Sequence, residues 1–287
     1  MKSFDFKKWN NIIGWATFSI ALLTYSLTLE PTVSYWDCGE YISTAVKLEV
    51  GHPPGAPLFQ MLGAFFAMFT SEVTEIAKMV NFMSALASAF TILFMFWTIT
   101  SLAKKMIKNA AELSSSSSIA ILGSGIVGAL TYTFSDSFWY SAVEGEVYAL
   151  SSFFTAIVFW VMFKWDASEE KDANKWIILI AYMVGLSIGV HLLNLVVLPA
   201  LAFVYYFKKY EVSRKGLILA IGAAIVILGT INYLIIPGLI GVATWFELVF
   251  TNSFGFHYNT GVIIYVILLL GALIFGIYWT QFKSKNV

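Results

Sequence analysis

Two carboxylates three residues apart follow the first apolar run of this chain. Asp37 and Glu40 stand in an aromatic frame that runs from Tyr35 to Tyr41. Residues three apart share one face of a helix, so both carboxylates are predicted to point to the same side of a short amphipathic helix over 37–50. A partly shielded carboxylate can act as a general base, and Asp37 is the better candidate because it opens that helix. The alternative is that Asp37 only caps the helix N-terminus.

Glu144 and Glu146 form a second acidic pair, in the polar and aromatic loop 136–148. They stand where a predicted span enters the membrane, close to Tyr148. They can bind a divalent cation through oxygen ligands, orient an acceptor hydroxyl, or complement the helix dipole, which contributes about 0.3–1 kcal/mol. Carboxylates this close to the hydrocarbon edge are costly without partners, which favours a functional interpretation.

His191 and Asn194 are the third candidate group. They lie in an apolar stretch that is too long for one ordinary span and fits two short ones, 176–190 and 192–207, meeting near His191. Such a hairpin would turn both side chains towards a cavity in the bundle, where they could contact a ligand. The alternative is that they hydrogen-bond a neighbouring helix.

Composition identifies the elements that must position these groups. Hydrophobic residues make up 59% of the 287-residue chain, charged residues 12%, and the mean hydropathy is +0.79, values typical of a polytopic membrane protein. Backbone polar groups in lipid must be satisfied internally, so helices are predicted. The eight candidate crossings are 11–29, 76–101, 119–135, 147–163, 176–190, 192–207, 216–236 and 261–282. No phosphate-binding glycine loop, metal-spaced Cys or His cluster or basic stripe is present, so no nucleic-acid partner is expected.

Positive charge predicts the orientation of these crossings. The apolar segment 57–69 is too short to span, which predicts an interfacial or re-entrant helix. If it does not cross, 15 of the 17 basic residues fall on the N-terminal side, leaving Lys47 and Lys78 opposite. The positive-inside rule then predicts cytoplasmic termini and a first external loop over 30–75 that contains juxtamembrane helices. The three candidate groups all lie on the external side.

The order of these features resembles the GT-C membrane glycosyltransferases, and within them a Bacteroidota branch related to protein O-mannosyltransferases. The segment from Trp36 to Tyr41 is similar to the acidic motif in that family's first external loop. The segment from His52 to Leu58 resembles its Pro-Pro turn, which leads into a juxtamembrane helix. Segments 143–148 and 189–194 also look like this branch.

The resemblance implies a GT-C-like bundle of about eight helices, which transfers a sugar from a polyprenyl-phosphate carrier to a protein or glycan hydroxyl. The reaction would occur at the cell inner membrane, in a site that faces the periplasm. Asp37 would deprotonate the acceptor and Glu40 would support it, while Lys78 and the histidines would contact the carrier phosphate. The substrate-binding residues expected from the sequence and the resemblance together are His52, Lys78, Glu144, Glu146, Tyr148, His191 and Asn194.

The sequence leaves more than one possibility open for the cofactor, the partners and the functional class of the protein. No metal site is predicted, although carboxylates alone do not distinguish a divalent-cation site from a general base. The family branch usually continues into more spans and a soluble region, so residues 1–287 are expected to form a single transmembrane domain of a longer architecture. Expected partners are the carrier-linked sugar, the acceptor and membrane lipid, with a partner subunit as a further source of contacts. The competing functions are a transporter or lipid flippase that uses a carboxylate and histidine relay, and a non-catalytic subunit of an envelope assembly.

Overall fold

The structure, a computed structural model, describes residues 4–107 and 113–280, except for the side chains of 170–172. These residues form helices and no strand, which confirms the predicted all-α class. The α-helices are α1 (Phe6–Leu27), α2 (Cys38–Lys47), α3 (Pro57–Ala67), α4 (Ile76–Lys105), α5 (Ser115–Thr133), α6 (Asp136–Ala142), α7 (Val147–Asp166), α8 (Glu170–Ile188), α9 (Val197–Lys209), α10 (Arg214–Thr230), α11 (Ile236–Leu248) and α12 (Thr260–Tyr278).

The chain divides into two compact units. Residues 1–213 hold α1 to α9 and all the candidate site residues, and residues 214–287 hold α10 to α12. Each unit is described by itself, and the expected single transmembrane domain over 1–287 stays a prediction.

Six helical segments among the described residues are long and apolar enough to cross a membrane, which confirms a multi-pass membrane protein. They are Val73–Lys105, Ser115–Thr133, Val147–Asp166, Leu192–Lys209, Arg214–Ser253 and Thr260–Tyr278. The other two predicted crossings are also helical, because 11–29 coincides with α1 and 176–190 with α8. Residues 281 and 282 of the last predicted crossing lie outside the described residues, as do Lys2, Lys108, Lys283 and Lys285, which entered the charge argument.

One helix is longer than its apolar run predicts. The crossing expected over 216–236 belongs to a continuous helical segment, Arg214–Ser253, of 40 residues. Two π-helical turns interrupt it, at Ile231–Ile235 and Val249–Ser253. At 1.5 Å per residue the segment is about 60 Å long, roughly twice the thickness of a hydrocarbon core.

Helix α4 is the centre of the first unit and packs against α1, α5 and α7. Its contact with α5 is close because Gly125 has no side chain, and a Cβ there would lie 2.7 Å from the Phe96 ring. Small residues at such contacts let membrane helices approach one another. A hydrophobic cluster that includes Tyr41, Phe59 and Val80 joins α2 and α3 to α4, α7 and the end of α8.

Helices α2 and α3 confirm the expected short helices between α1 and α4. Helix α2 has 10 residues and ends at Lys47, and the following residue, Leu48, has a left-handed backbone with φ 51°. Helix α3 has 11 residues and begins at Pro57, where the missing N–H costs no helical hydrogen bond. Its length of about 17 Å is too short to cross a bilayer, as its apolar run predicts.

Candidate functional site

The side chains of Asp37, Glu40 and His52 meet at the start of α2. Nδ1 of His52 lies 3.1 Å from Oε2 of Glu40, and Nε2 lies 4.0 Å from Oδ2 of Asp37. The backbone N–H of His52 also donates to Oε1 of Glu40 at 2.6 Å. Both carboxylates therefore reach one imidazole, as expected for positions three apart on a helix.

Asp37 stands at the N-cap position of α2 but does not cap it. Its backbone is in the right-handed helical region, and its carboxylate accepts no hydrogen bond from the first turn. The side chain is 59% exposed beside His52. The capping interpretation therefore does not account for this carboxylate, which is accessible to solvent.

Glu40 is held as a carboxylate by His52. Hydrogen bonds from the backbone and side chain of His52 lower the pKa of Glu40. The buried ring of Tyr41 closes the inner side of the group, 5.6 Å from the His52 ring. Burial, with the charges of Glu146 and Asp37, raises the pKa of Tyr41 to about 12, so its phenol stays protonated.

The same three residues could hold a divalent cation. Asp37, Glu40 and His52 each offer one ligand atom, and these atoms lie within 4.8 Å of one another. Two carboxylate oxygens and an imidazole nitrogen are common ligands of transition-metal ions. General-base and metal-binding roles are thus both compatible with this geometry.

Glu144 and Glu146 are buried beside this group. The Ser34 hydroxyl donates a hydrogen bond to the Glu144 carboxylate, which also lies beside the Tyr140 hydroxyl, and the Glu146 carboxylate lies beside the backbone of Asp37. Burial, followed by the negative charges of Glu144 and Asp37, raises the pKa of Glu146 to about 7. Burial also raises the pKa of Glu144. This loop and the start of α2 therefore form one acidic site.

Four consecutive residues, 143–146, join this loop to the segment before α2. The carbonyl of Val143 accepts the N–H of Glu30 at 3.1 Å, and the backbone of Gly145 lies beside the Cys38 thiol. The other two residues, Glu144 and Glu146, make the contacts with Ser34 and Asp37 described above.

Gly145 allows this close approach. A Cβ at Gly145 would lie 2.9 Å from Oδ1 of Asn81 and 3.0 Å from Cγ1 of Ile42. The Asn81 amide in turn donates to the carbonyls of Glu30 and Thr32, at 2.7 and 2.8 Å. Helix α4 thereby fixes the segment before α2, and the loop that carries the two glutamates packs against the same asparagine.

Tyr148 and His191 contact each other, with ring centroids 5.6 Å apart. His191 lies in the break between α8 and the 3-10 turn Leu192–Val196, which confirms the expected interruption of the long apolar stretch. Its Nδ1 accepts the N–H of Leu193 at 3.1 Å. Burial lowers the pKa of His191, which favours the neutral imidazole.

Asn194 is buried in a polar network rather than in the acidic group. Its Oδ1 accepts the hydroxyls of Ser151 and Thr155 at 2.7 and 3.0 Å, and its Nδ2 donates to the Ser187 carbonyl. The side chain also lines a cavity of about 310 Å³ between α4, α5 and α7, together with Thr91 and other hydroxyl-bearing residues.

Lys78 pairs with Glu75, its Nζ lying 3.0 Å from the carboxylate. None of its described contacts is with Asp37, Glu40 or His52. The structure thus brings together the acidic residues, His52 and Tyr41, while Lys78 and Asn194 have partners of their own.

Trp36, next to Asp37, has an unusual backbone. Its φ is 58° and its side chain is 88% exposed. The left-handed region costs an ordinary residue about 1–2 kcal/mol, and it is especially unfavourable for a bulky one. The neighbouring contacts of Ser34 and Asp37 with the two buried glutamates hold the chain in this conformation.

Sequence reasoning missed the residues that support the site. Ser34 and Tyr140 contact Glu144, and Asn81 holds the segment before α2 through the carbonyl of Glu30. The only sequence signal for Asn81 is an amide near the start of an apolar run, a position where a polar group needs a partner. Ser34 gives no such signal, because its partner is 110 residues away in the chain.

Comparisons with known proteins agree on one family. The family model described as protein O-mannosyl-transferase TMEM260 N-terminal domain matches residues 37–214. Protein O-mannosyl-transferase tmem260 of Dictyostelium discoideum is 28% identical over 194 residues, covering 63% of this chain and 22% of that protein. Protein O-mannosyl-transferase TMEM260 of Mus musculus is 26% identical over 207 residues, covering 71% of this chain and 27% of the mouse protein. No solved structure matches.

Proposed function

Because this chain belongs to the TMEM260 N-terminal domain family of protein O-mannosyl-transferases, we propose that it acts in a membrane glycosyltransferase of the GT-C type. The reaction moves a sugar from a polyprenyl-phosphate carrier to a hydroxyl of an acceptor protein. The observation that carries this proposal is the meeting of Asp37, Glu40 and His52 at the start of α2, directly against Glu146.

Asp37 is the general base of this mechanism. The acceptor hydroxyl oxygen attacks the anomeric carbon of the sugar, and its proton passes to the Asp37 carboxylate. The bond between the anomeric carbon and the phosphate oxygen breaks, and the polyprenyl phosphate leaves with the bonding electrons. The uncapped, exposed carboxylate of Asp37 supports this role.

Glu40 and His52 position the base and the phosphate. The Glu40 carboxylate accepts the backbone N–H of His52 and contacts Nδ1 of its ring. These contacts hold Nε2 of the imidazole 4.0 Å from Oδ2 of Asp37. The His52 imidazole would offer a ring N–H to the leaving phosphate beside the Asp37 carboxylate. Lys78 is a second group proposed to bind the phosphate. It would leave its exposed ion pair with Glu75 to do so.

Glu144 and Glu146 bind the sugar or acceptor hydroxyls in this proposal, and Tyr148 and His191 flank them. Asn194 contacts the carrier through the cavity that it lines between α4, α5 and α7. A polar site and a separate cavity in the same helical unit suit a lipid-linked donor, whose headgroup and chain need different surroundings.

The proposed location is the cell inner membrane, with both termini cytoplasmic and the site facing the periplasm. Support comes from the distribution of basic residues, of which only Lys47 and Lys78 fall on the side of the site. The chain spans about a quarter of the length of the curated relatives that it matches. A partner subunit that completes the donor or acceptor site is also part of the proposal.

The test is transfer from polyprenyl-phosphate mannose to acceptor peptides by the purified chain and its Asp37→Asn variant. General-base catalysis contributes about 10²–10⁴-fold, so the variant should lose that factor in kcat while its melting temperature is unchanged. Glu49→Gln, which neutralises a carboxylate outside the cluster, should retain full activity.

Transfer that survives Asp37→Asn would remove this residue from the catalytic role. No transfer by a folded wild-type chain would favour the need for a partner subunit or a non-catalytic function.

A further inference from the structure

Trp36 combines three features that neither packing nor capping explains. It is exposed to 88%, its backbone is left-handed, and it immediately precedes Asp37. The indole has no ring partner among the described residues, whereas the neighbouring Tyr41 packs against His52 and Phe59. Strain of this kind persists only where surrounding contacts enforce it, and it is concentrated at functional sites.

The enforcing contacts come from both sides of Trp36. The Ser34 hydroxyl donates a hydrogen bond to Glu144, and the backbone of Asp37 lies beside the Glu146 carboxylate. Both glutamates are buried. The left-handed Trp36 lies between these two contacts in the chain, and its exposed indole is one residue before Asp37.

A membrane anchor does not need this arrangement. Tryptophan is enriched at membrane interfaces, and α1 already exposes Trp9 and Trp15 from ordinary helical positions. An anchoring indole has no need of a strained backbone or of a place beside a catalytic carboxylate.

A hexose ring has the complementary chemistry. Its hydroxyls donate hydrogen bonds, which suit the carboxylates of Asp37, Glu40 and Glu146, while its C–H face is apolar and suits the face of an indole. We propose that the Trp36 indole is the stacking surface for the hexose of the donor, held in place by the contacts of Ser34 and Asp37 with the two buried glutamates. This inference rests on the proposed glycosyl transfer and names the group that recognises the sugar.

The test compares Trp36→Gly, Trp36→Phe and Leu48→Gly in the purified chain. Leu48 is the matched control, because it is exposed, lies at the other end of α2 and also has a left-handed backbone, with φ 51°. Glycine adopts that conformation without strain, so both glycine variants should melt at or above the wild-type temperature. Loss of function in Trp36→Gly would then reflect the missing indole.

The expected result is a rise of about 10-fold in the KM for polyprenyl-phosphate mannose in Trp36→Gly, with less than about 3-fold change in Trp36→Phe and in Leu48→Gly. A second measurement is independent of turnover. Saturation-transfer NMR with methyl α-mannoside should show transfer to the C–H protons of the sugar with the wild-type chain, and this transfer should be lost with Trp36→Gly.

Three outcomes would overturn the inference. The wild-type chain could transfer mannose while Trp36→Gly keeps the wild-type KM for the donor. This result would remove the stacking role and leave the proposed function intact. A rise in the KM of the peptide acceptor alone would assign the indole to the acceptor. A wild-type chain that shows no transfer and no sugar binding would contradict both the inference and the proposed function.

Discussion

Glu146 is a buried acid whose charge opposes folding. Its pKa is raised from its ordinary value of 4.5 to about 7 in the folded chain, chiefly by burial. The stabilising effect of its protonated form is therefore complete below about pH 4.5 and is lost as the pH rises to about 7. The loss is on the order of 3 kcal/mol at most.

Replacement Glu146→Gln should flatten this pH dependence. Unfolding of the purified chain, followed between pH 4.5 and pH 8, should show a free energy that falls with pH in the wild type and falls less in the variant. Glu72→Gln, at an exposed carboxylate, should keep the wild-type slope. Equal slopes for wild type and Glu146→Gln would contradict the assigned pKa.

The residue scale also shows what sequence spacing can and cannot predict. The relation of Asp37 to Glu40 is local, because a helix places positions three apart on one face. The contact of both with His52 depends on the reversal of the chain after α2, and the burial of Glu146 depends on a loop more than 100 residues away. Such contacts are set by tertiary packing, which a single sequence does not encode at any fixed spacing.

At the scale of elements, the connection between α6 and α7 depends on a glycine. Gly145→Ala would place a methyl group 2.9 Å from Oδ1 of Asn81, inside a well-packed contact. We expect a loss of stability of about 1–3 kcal/mol and lower transfer activity, because the loop carrying Glu144 and Glu146 must move.

Gly123→Ala is the matched control, since a Cβ at Gly123 in α5 meets no atom within 4 Å. Alanine in a helix interior should stabilise by about 0.5–1 kcal/mol. Melting temperatures and initial rates of both variants test this contrast. Equal behaviour of the two variants would show that the 143–146 loop tolerates displacement.

Apolar runs predicted where helices occur better than where they end. Within the described residues, each of the eight runs coincides for most of its length with helix, and the short apolar segment 57–69 predicted α3. The run ending at 236 missed the continuation to Ser253, because Pro237 normally ends a helix. Here Pro237 follows the π-helical turn Ile231–Ile235, whose shifted hydrogen-bond pattern accommodates the missing N–H.

At the scale of the whole molecule, the predicted orientation can be measured by cysteine labelling. Cys38 is the single cysteine and is fully buried, so the wild-type chain should react poorly with a membrane-impermeant maleimide. Val50→Cys, at a side chain that is 93% exposed, should react in intact cells. Val212→Cys, also exposed but after the basic end of α9, should react only after permeabilisation. The reverse pattern would contradict the predicted orientation.

The four consecutive contacts of residues 143–146 restrict how this site can diverge. Each residue meets a different partner in the segment from Glu30 to Cys38, so one inserted or deleted residue would shift the whole series out of register. Surface loops usually tolerate such length changes well. In distant relatives, a preserved length of this loop should therefore mark a working site more reliably than the overall level of identity.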